Sequence, residues 1–191
     1  MTSLIFATAN AHKLAELRAI LPDYDIKGLK DIGMDVDIPE TGMTLEENAC
    51  IKAKYLYDQS GRPSLSEDTG LEVDSLGGNP GVHTARYAGE QRNPMDNMKK
   101  LLKELATKDD RSAQFRTVIA MVVENQTLYF EGIVRGKIAH EISGTEGFGY
   151  DPIFIPNGYE STFAELSSEI KNTISHRASA VKKLIEYLQA N

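Results

Sequence analysis

Glu67 and Asp68 stand side by side in the run SLSEDTGL, where an apolar stretch meets a glycine. Asp, Thr and Gly are ordinary turn residues, so a surface turn is one reading. Metal chemistry is the other. Carboxylates without a neighbouring histidine or cysteine supply the hard oxygen ligands that Mg²⁺ takes, few in number, with water and a substrate phosphate completing the octahedron. A divalent ion would relieve the repulsion between the pair, and Glu40, in the turn-like IPETG with no evident capping task, could add another oxygen. Side chains alternate along a strand, so joint coordination by residues 67 and 68 requires the strand to end there, as Gly70 would allow.

Cations recur where anions would be welcome. If Asn10 caps a helix, His12 and Lys13 fall in its first turn, where the helix dipole and free N–H groups disfavour cations. A phosphate bound at that turn would reverse the misfit; otherwise Lys13 reaches into solvent. At about 100° per residue, Lys52 projects within the apolar stripe of Leu45, Ala49 and Leu56, so its amine either snorkels out or meets an anion. In GTEGFGYDP, Gly144, Gly147 and Gly149 permit close backbone approach, Phe148 and Tyr150 offer faces to a flat heterocycle, and Asp151 offers an acceptor. The same loop could be a tight turn with Phe148 tucked into the core. Lys171, His176 and Arg177 gather near Ser175, a further candidate cap, although basic residues on a helix are usually a solvated face. Together these groups describe a nucleoside triphosphate: phosphates for Lys13, Lys52 and a metal, and a planar base beside Phe148.

Several other chemistries find no support. There is no HExxH, no GxSxG elbow and no GxxxxGK[ST] loop. DTG occurs once, so an aspartic-protease pair would require a symmetric dimer. The 28 acidic residues outnumber 21 basic ones, for a net charge of −7, which argues against coating nucleic acid. A single cysteine, Cys50, and no long apolar run point to a cytoplasmic protein with no membrane partner.

The elements that must position these groups follow from pattern. A strand is expected over residues 4–8, then a helix with Leu14, Leu17 and Leu21 on one stripe. Thr44 and Glu47 form a capping box opening a helix that ends near Gly61. GGNPGVHTARYAG reads as a loop with a short helical turn, and NPMDNMKKLLKELA as an amphipathic helix. Residues 113–124 and 128–138 read as a hairpin joined at NQT, 153–155 as a short strand, and SHRASAVKKLIEYL as helix. Helices interspersed with βα units and a hairpin predict one α/β domain over 1–191, with a mixed β-sheet flanked by helices.

The order FATANAHKLAEL, ETGMTLEENACIKA, SEDTGLEVDSLGGNPGVHTARYAG, GFGYDPIF and NTISHRASAV closely resembles the inosine/xanthosine triphosphate pyrophosphatases, house-cleaning enzymes for deaminated purine nucleotides. The resemblance implies Mg²⁺-dependent hydrolysis of ITP, dITP and XTP to the monophosphate and pyrophosphate by a homodimer. It also implies a long, twisted sheet with helices forming two lobes around a central cleft. By motif, Thr8, Ala9, Asn10, Ala11, His12 and Lys13 would form the phosphate loop. Glu40 and Asp68 would bind metal, with Glu67 a further candidate; Asp68 would also accept a proton, Lys52 would neutralise phosphate, and Thr69 would touch substrate. Phe148, Gly149, Tyr150, Asp151, Lys171, His176 and Arg177 would surround base and sugar. The chain has TAN where the family often has TGN, and EDTG where DDSG is common. A pyrophosphatase of modified pyrimidine nucleotides, or a nucleotide sensor without hydrolysis, would use similar groups.

Overall fold

The computed structural model describes residues 3–190 apart from 9, 35 and 37. The expected role of Ala9 in the phosphate loop therefore lies outside the described residues. In chain order the main elements are β1 (Ser3–Phe6), α1 (Ala11–Ile20), β2 (Asp25–Gly28), α2 (Leu45–Ser60), β3 (Ser64–Val73) and β4 (Pro80–Gly81). There follow α3 (Pro94–Glu104), β5 (Ser112–Val123), β6 (Gln126–Ile138), β7 (Phe154–Pro156), α4 (Ser168–Ile174) and α5 (His176–Ala190). The sheet runs β2-β1-β3-β5-β6-β7, with β4 beside β3. β1 pairs in parallel with β2 and β3, whereas β3–β4 and β6–β7 are antiparallel, so the sheet is mixed as expected.

Two compact units divide the chain: Met1–Asp68 with Thr117–Gly132 and Arg177–Asn191, and Thr69–Arg116 with Ile133–His176. In the first, Leu4 and Phe6 of β1 pack with Leu17, Leu65, Ile119, Val181 and Leu184, while Ile5 packs with Leu29, Ile38 and Leu56. Successive residues of β1 thus enter different clusters, which is why its sequence is continuously apolar rather than alternating. In the second, Leu71, Val73, Leu101, Phe115, Phe154 and Phe163 form the core.

Local chemistry sets the ends that matter for function. Asn10 caps α1, its side chain accepting from the N–H groups of His12 and Lys13. Thr44 caps α2 by accepting from Glu47 N–H, and Gly61, at φ 63°, closes it in the left-handed conformation a side chain would resist. The Glu47 carboxylate accepts from Met43 N–H, one residue before the partner of a standard capping box. The hairpin turns at Glu124 and Asn125, both at positive φ, one residue earlier than NQT suggests.

One expectation is overturned. β3 does not stop at Asp68 but continues through Gly70 to Val73, with residues 64–68 all buried. Regular alternation therefore sends the carboxylates of Glu67 and Asp68 to opposite faces of the strand.

Candidate active site

α1, α2, β3 and the start of α5 bring a charged cluster together within the first unit. On one face of β3, Glu67 is 2% exposed and takes three hydrogen bonds from Arg177, through Nε at 3.1 and 2.8 Å and Nη2 at 2.7 Å. Lys13 Nζ lies 3.2 Å from Glu67 Oε1. The remaining terminal nitrogen of Arg177, Nη1, donates to Glu16. Burial alone would raise the Glu67 pKa, but the charges of Arg177 and Lys13 and their hydrogen bonds outweigh it and hold the carboxyl well below the usual range. Glu67 is thus a permanently ionised anchor, with Arg177, 1% exposed, as its counterion.

On the other face Asp68 is 8% exposed. Its Oδ2 accepts from Asn48 Nδ2 at 3.1 Å, and its Oδ1 lies 3.7 Å from Lys52 Nζ. Lys52 also donates to Glu40 Oε1 at 2.7 Å and to the Glu67 carbonyl at 3.0 Å. One ammonium therefore stands between two carboxylates and is fixed by backbone. From charge neighbours alone the Asp68 pKa should fall. It rises instead, because desolvation exceeds the pull of Lys52 and Lys13 and the nearby Glu40 adds to the rise.

The helix head differs in one respect from a bare anion site. The N–H groups of His12 and Lys13 are taken by Asn10 Oδ1 at 3.0 and 3.3 Å, and Thr8 Oγ1 accepts from Asn10 N–H at 3.1 Å. The cation of that turn, Lys13, faces inward to the carboxylates rather than outward to solvent. Ala11 and His12 are exposed at the same end.

A second group assembles within the other unit. Lys171 Nζ donates to Asp151 Oδ2 at 2.7 Å, and the same oxygen accepts from Phe148 N–H at 2.7 Å. The ammonium also sits 4.9 Å from the centre of the Phe148 ring. Asp151 thus ties the glycine-rich loop to α4 and presents a half-buried aromatic ring with a cation beside it. Gly147 is at φ 76°, and a Cβ there would meet Asp151 Oδ2 at 2.2 Å, which accounts for that glycine. Gly149 is also at positive φ. Tyr150 belongs to the core: it is 3% exposed and donates its hydroxyl to the Thr84 carbonyl at 2.9 Å. His176 is buried and stacks on Phe115 at 4.7 Å. Thr69 follows Asp68 on β3, half-buried.

Two participants escaped sequence reasoning. Asn48, 1% exposed, bonds both Gly42 and Asp68, and a polar residue one turn before Lys52 on the same helix face was the signal available. Glu16 carried no signal beyond its spacing from Lys13.

Hard oxygen donors, with neither histidine nor cysteine, surround the Lys52 position, and this set suits Mg²⁺. Among the described residues no three His, Cys, Asp or Glu side chains converge to cage a metal.

The Ham1 family model matches residues 4–187 of the chain. A dITP/XTP pyrophosphatase of Flavobacterium johnsoniae is 52% identical over 188 residues, 98% of each chain. Among solved structures, the Ham1 protein of Staphylococcus aureus is 40% identical with a TM-score of 0.90, over 99% of each chain. A HAM1 protein of Coxiella burnetii is 38% identical with a TM-score of 0.91, over 100% of each.

Proposed function

Since the chain belongs to the Ham1 family, we propose that it hydrolyses non-standard purine nucleoside triphosphates, dITP, XTP and ITP, to the monophosphate and pyrophosphate. The observation that carries this reading is Lys52 held between Glu40 and Asp68 in the first unit, with the charge of Lys13, itself paired with Glu67, also felt at Asp68. Its relatives' name, dITP/XTP pyrophosphatase, supplies the substrate class.

Asp68 orients a water molecule toward the α-phosphorus and takes its proton. The water oxygen bonds to the α-phosphorus as the bridging oxygen departs with the β-phosphorus, releasing pyrophosphate. Lys13 and Lys52 offset charge building on the leaving group. Arg177 supports them indirectly: it fixes Glu67, and Glu67 fixes Lys13.

Glu40 and Asp68 are the residues that would hold Mg²⁺, which when bound would neutralise the triphosphate and acidify attacking water. Phe148, with Lys171 and Asp151, offers what a flat base with a carbonyl at its six-position needs: a stacking face and a donor. Adenine presents an amine donor there, so its group and the donor would both be left unpaired. We assign the protein to the cytoplasm and to a homodimer on the same family reading; among the described residues no helix is long and apolar enough to cross a membrane.

The test is incubation with each triphosphate and Mg²⁺, with products resolved by chromatography. Preference for dITP and XTP over ATP, dTTP and UTP, with pyrophosphate released, is expected. Orthophosphate as the product, or indifference to the base, would overturn the assignment.

A further inference from the structure

The side chain of Asn48 bridges the segment that carries Glu40 to Asp68, and its orientation is dictated by backbone. Gly42 N–H lies 2.8 Å from Asn48 Oδ1. A peptide N–H only donates, so the atom facing it must be the carbonyl oxygen of the amide. The amino group is thereby turned to Asp68, where Nδ2 donates to Oδ2 at 3.1 Å. Asn48 has little room to do otherwise. It is 1% exposed, its own N–H donates to Thr44 O at 3.1 Å in the first turn of α2, and a Cβ on Gly42 would stand 2.8 Å from its Oδ1.

The two oxygens of Asp68 are consequently unequal. Oδ2 faces a fixed donor and can act there only as an acceptor. Oδ1, 3.7 Å from Lys52, is too far for a close hydrogen bond with that ammonium.

We propose that Asn48 is a positioning residue for the hydrolysis: by engaging Oδ2 it sets the plane of the Asp68 carboxylate and assigns Oδ1 as the oxygen that meets the attacking water and receives its proton. The proposal rests on the reading of Asp68 as proton acceptor. It balances simply, since the proton moves from water to Oδ1, the water oxygen bonds to the α-phosphorus, and the bridging oxygen leaves with pyrophosphate. Asn48 does not touch the reacting atoms; it acts through Asp68.

Two variants separate its contacts. N48D keeps an acceptor for Gly42 N–H but replaces the donor to Asp68 with a second carboxylate oxygen. N48A removes both contacts. With full-length protein and saturating Mg²⁺, kcat for dITP, KM, the Kd of the non-hydrolysed α,β-methylene analogue and the thermal midpoint are measured for each. In N48D, kcat should fall on the order of 100-fold, as misplacement of a reacting group does, while the analogue Kd changes far less, because the acceptor for Gly42 N–H that holds the Glu40 segment is kept. N48A should lose kcat similarly and also bind the analogue more weakly, because Glu40 loses its tether. Folded N48D with near-wild-type kcat would overturn the proposal. So would loss of the folded state in both variants, which would make Asn48 purely structural. The underlying reading fails separately: wild-type protein would then not release pyrophosphate from dITP, or D68N would turn over like wild type.

Discussion

Asp68 shows how burial decides chemistry at the scale of one residue. Two amines nearby would make any exposed aspartate a poorer base, yet desolvation reverses the balance and raises its pKa. A raised carboxyl pKa also means that its ionised form is disfavoured by folding, so at neutral pH the charge costs stability. D68N should therefore fold at least as stably as wild type while kcat falls by about 10²- to 10⁴-fold, the usual worth of a general base. Thermal unfolding beside steady-state kinetics checks both halves, and a destabilised D68N would contradict the first. Glu67 behaves oppositely. Replacing it with Gln takes from buried Arg177 the more deeply buried of its two carboxylate partners and leaves Glu16, at a cost of about 3 kcal/mol read by urea unfolding. Lys13 and Lys52 stood out in the sequence because each is a cation where helix physics disfavours one, and in the fold each faces a carboxylate. The sequence did not show that Arg177 is consumed by Glu67 and Glu16: those residues are 110 and 161 positions away, and no local pattern records such a pairing.

At the scale of elements, helix caps and one strand create the cluster. Thr44 starts α2 so that Asn48 and Lys52, one turn apart, face the same way; T44A should cost about 1 kcal/mol, measured by thermal or urea unfolding. Gly42 is needed for contact rather than for dihedral freedom. A Cβ there would meet Glu47 Cβ at 2.6 Å and Asn48 backbone nitrogen at 2.9 Å, so G42A should destabilise by about 1–3 kcal/mol and lower kcat together. The caps, the hairpin and the C-terminal stripe were legible because each rests on local chemistry. The length of β3 was not. Glycine at position 70 reads as a stop, but pairing of neighbouring strands carries β3 onward, and the resulting alternation splits Glu67 from Asp68. The packing of Tyr150 was not legible for a similar reason: only tertiary contacts reveal that its ring joins the second core.

For the whole molecule, an acidic chain that handles a polyanion must concentrate its cations, and the net charge of −7 shows that composition alone does not do so. The order of five motifs made family and mixed sheet legible from end to end, whereas which segments make up each compact unit was not, since that depends on contacts between distant segments. Global stability should carry the mark of the buried pair. Because the Glu67 pKa is lowered on folding, its contribution is complete above the ordinary value of 4.5 and declines as pH falls below it toward the folded value. The stability gap between wild type and E67Q should thus be constant from pH 6 to 8, where ordinary carboxylates stay ionised, and shrink in acid; a gap that widened in acid would refute that account. The central claim is that water attacks the α-phosphorus under the control of Asp68. Hydrolysis of dITP in water labelled with heavy oxygen, followed by mass spectrometry of both products, tests it most directly. The label should appear in dIMP and be absent from pyrophosphate; label in pyrophosphate would place the attack on the β-phosphorus and contradict the account.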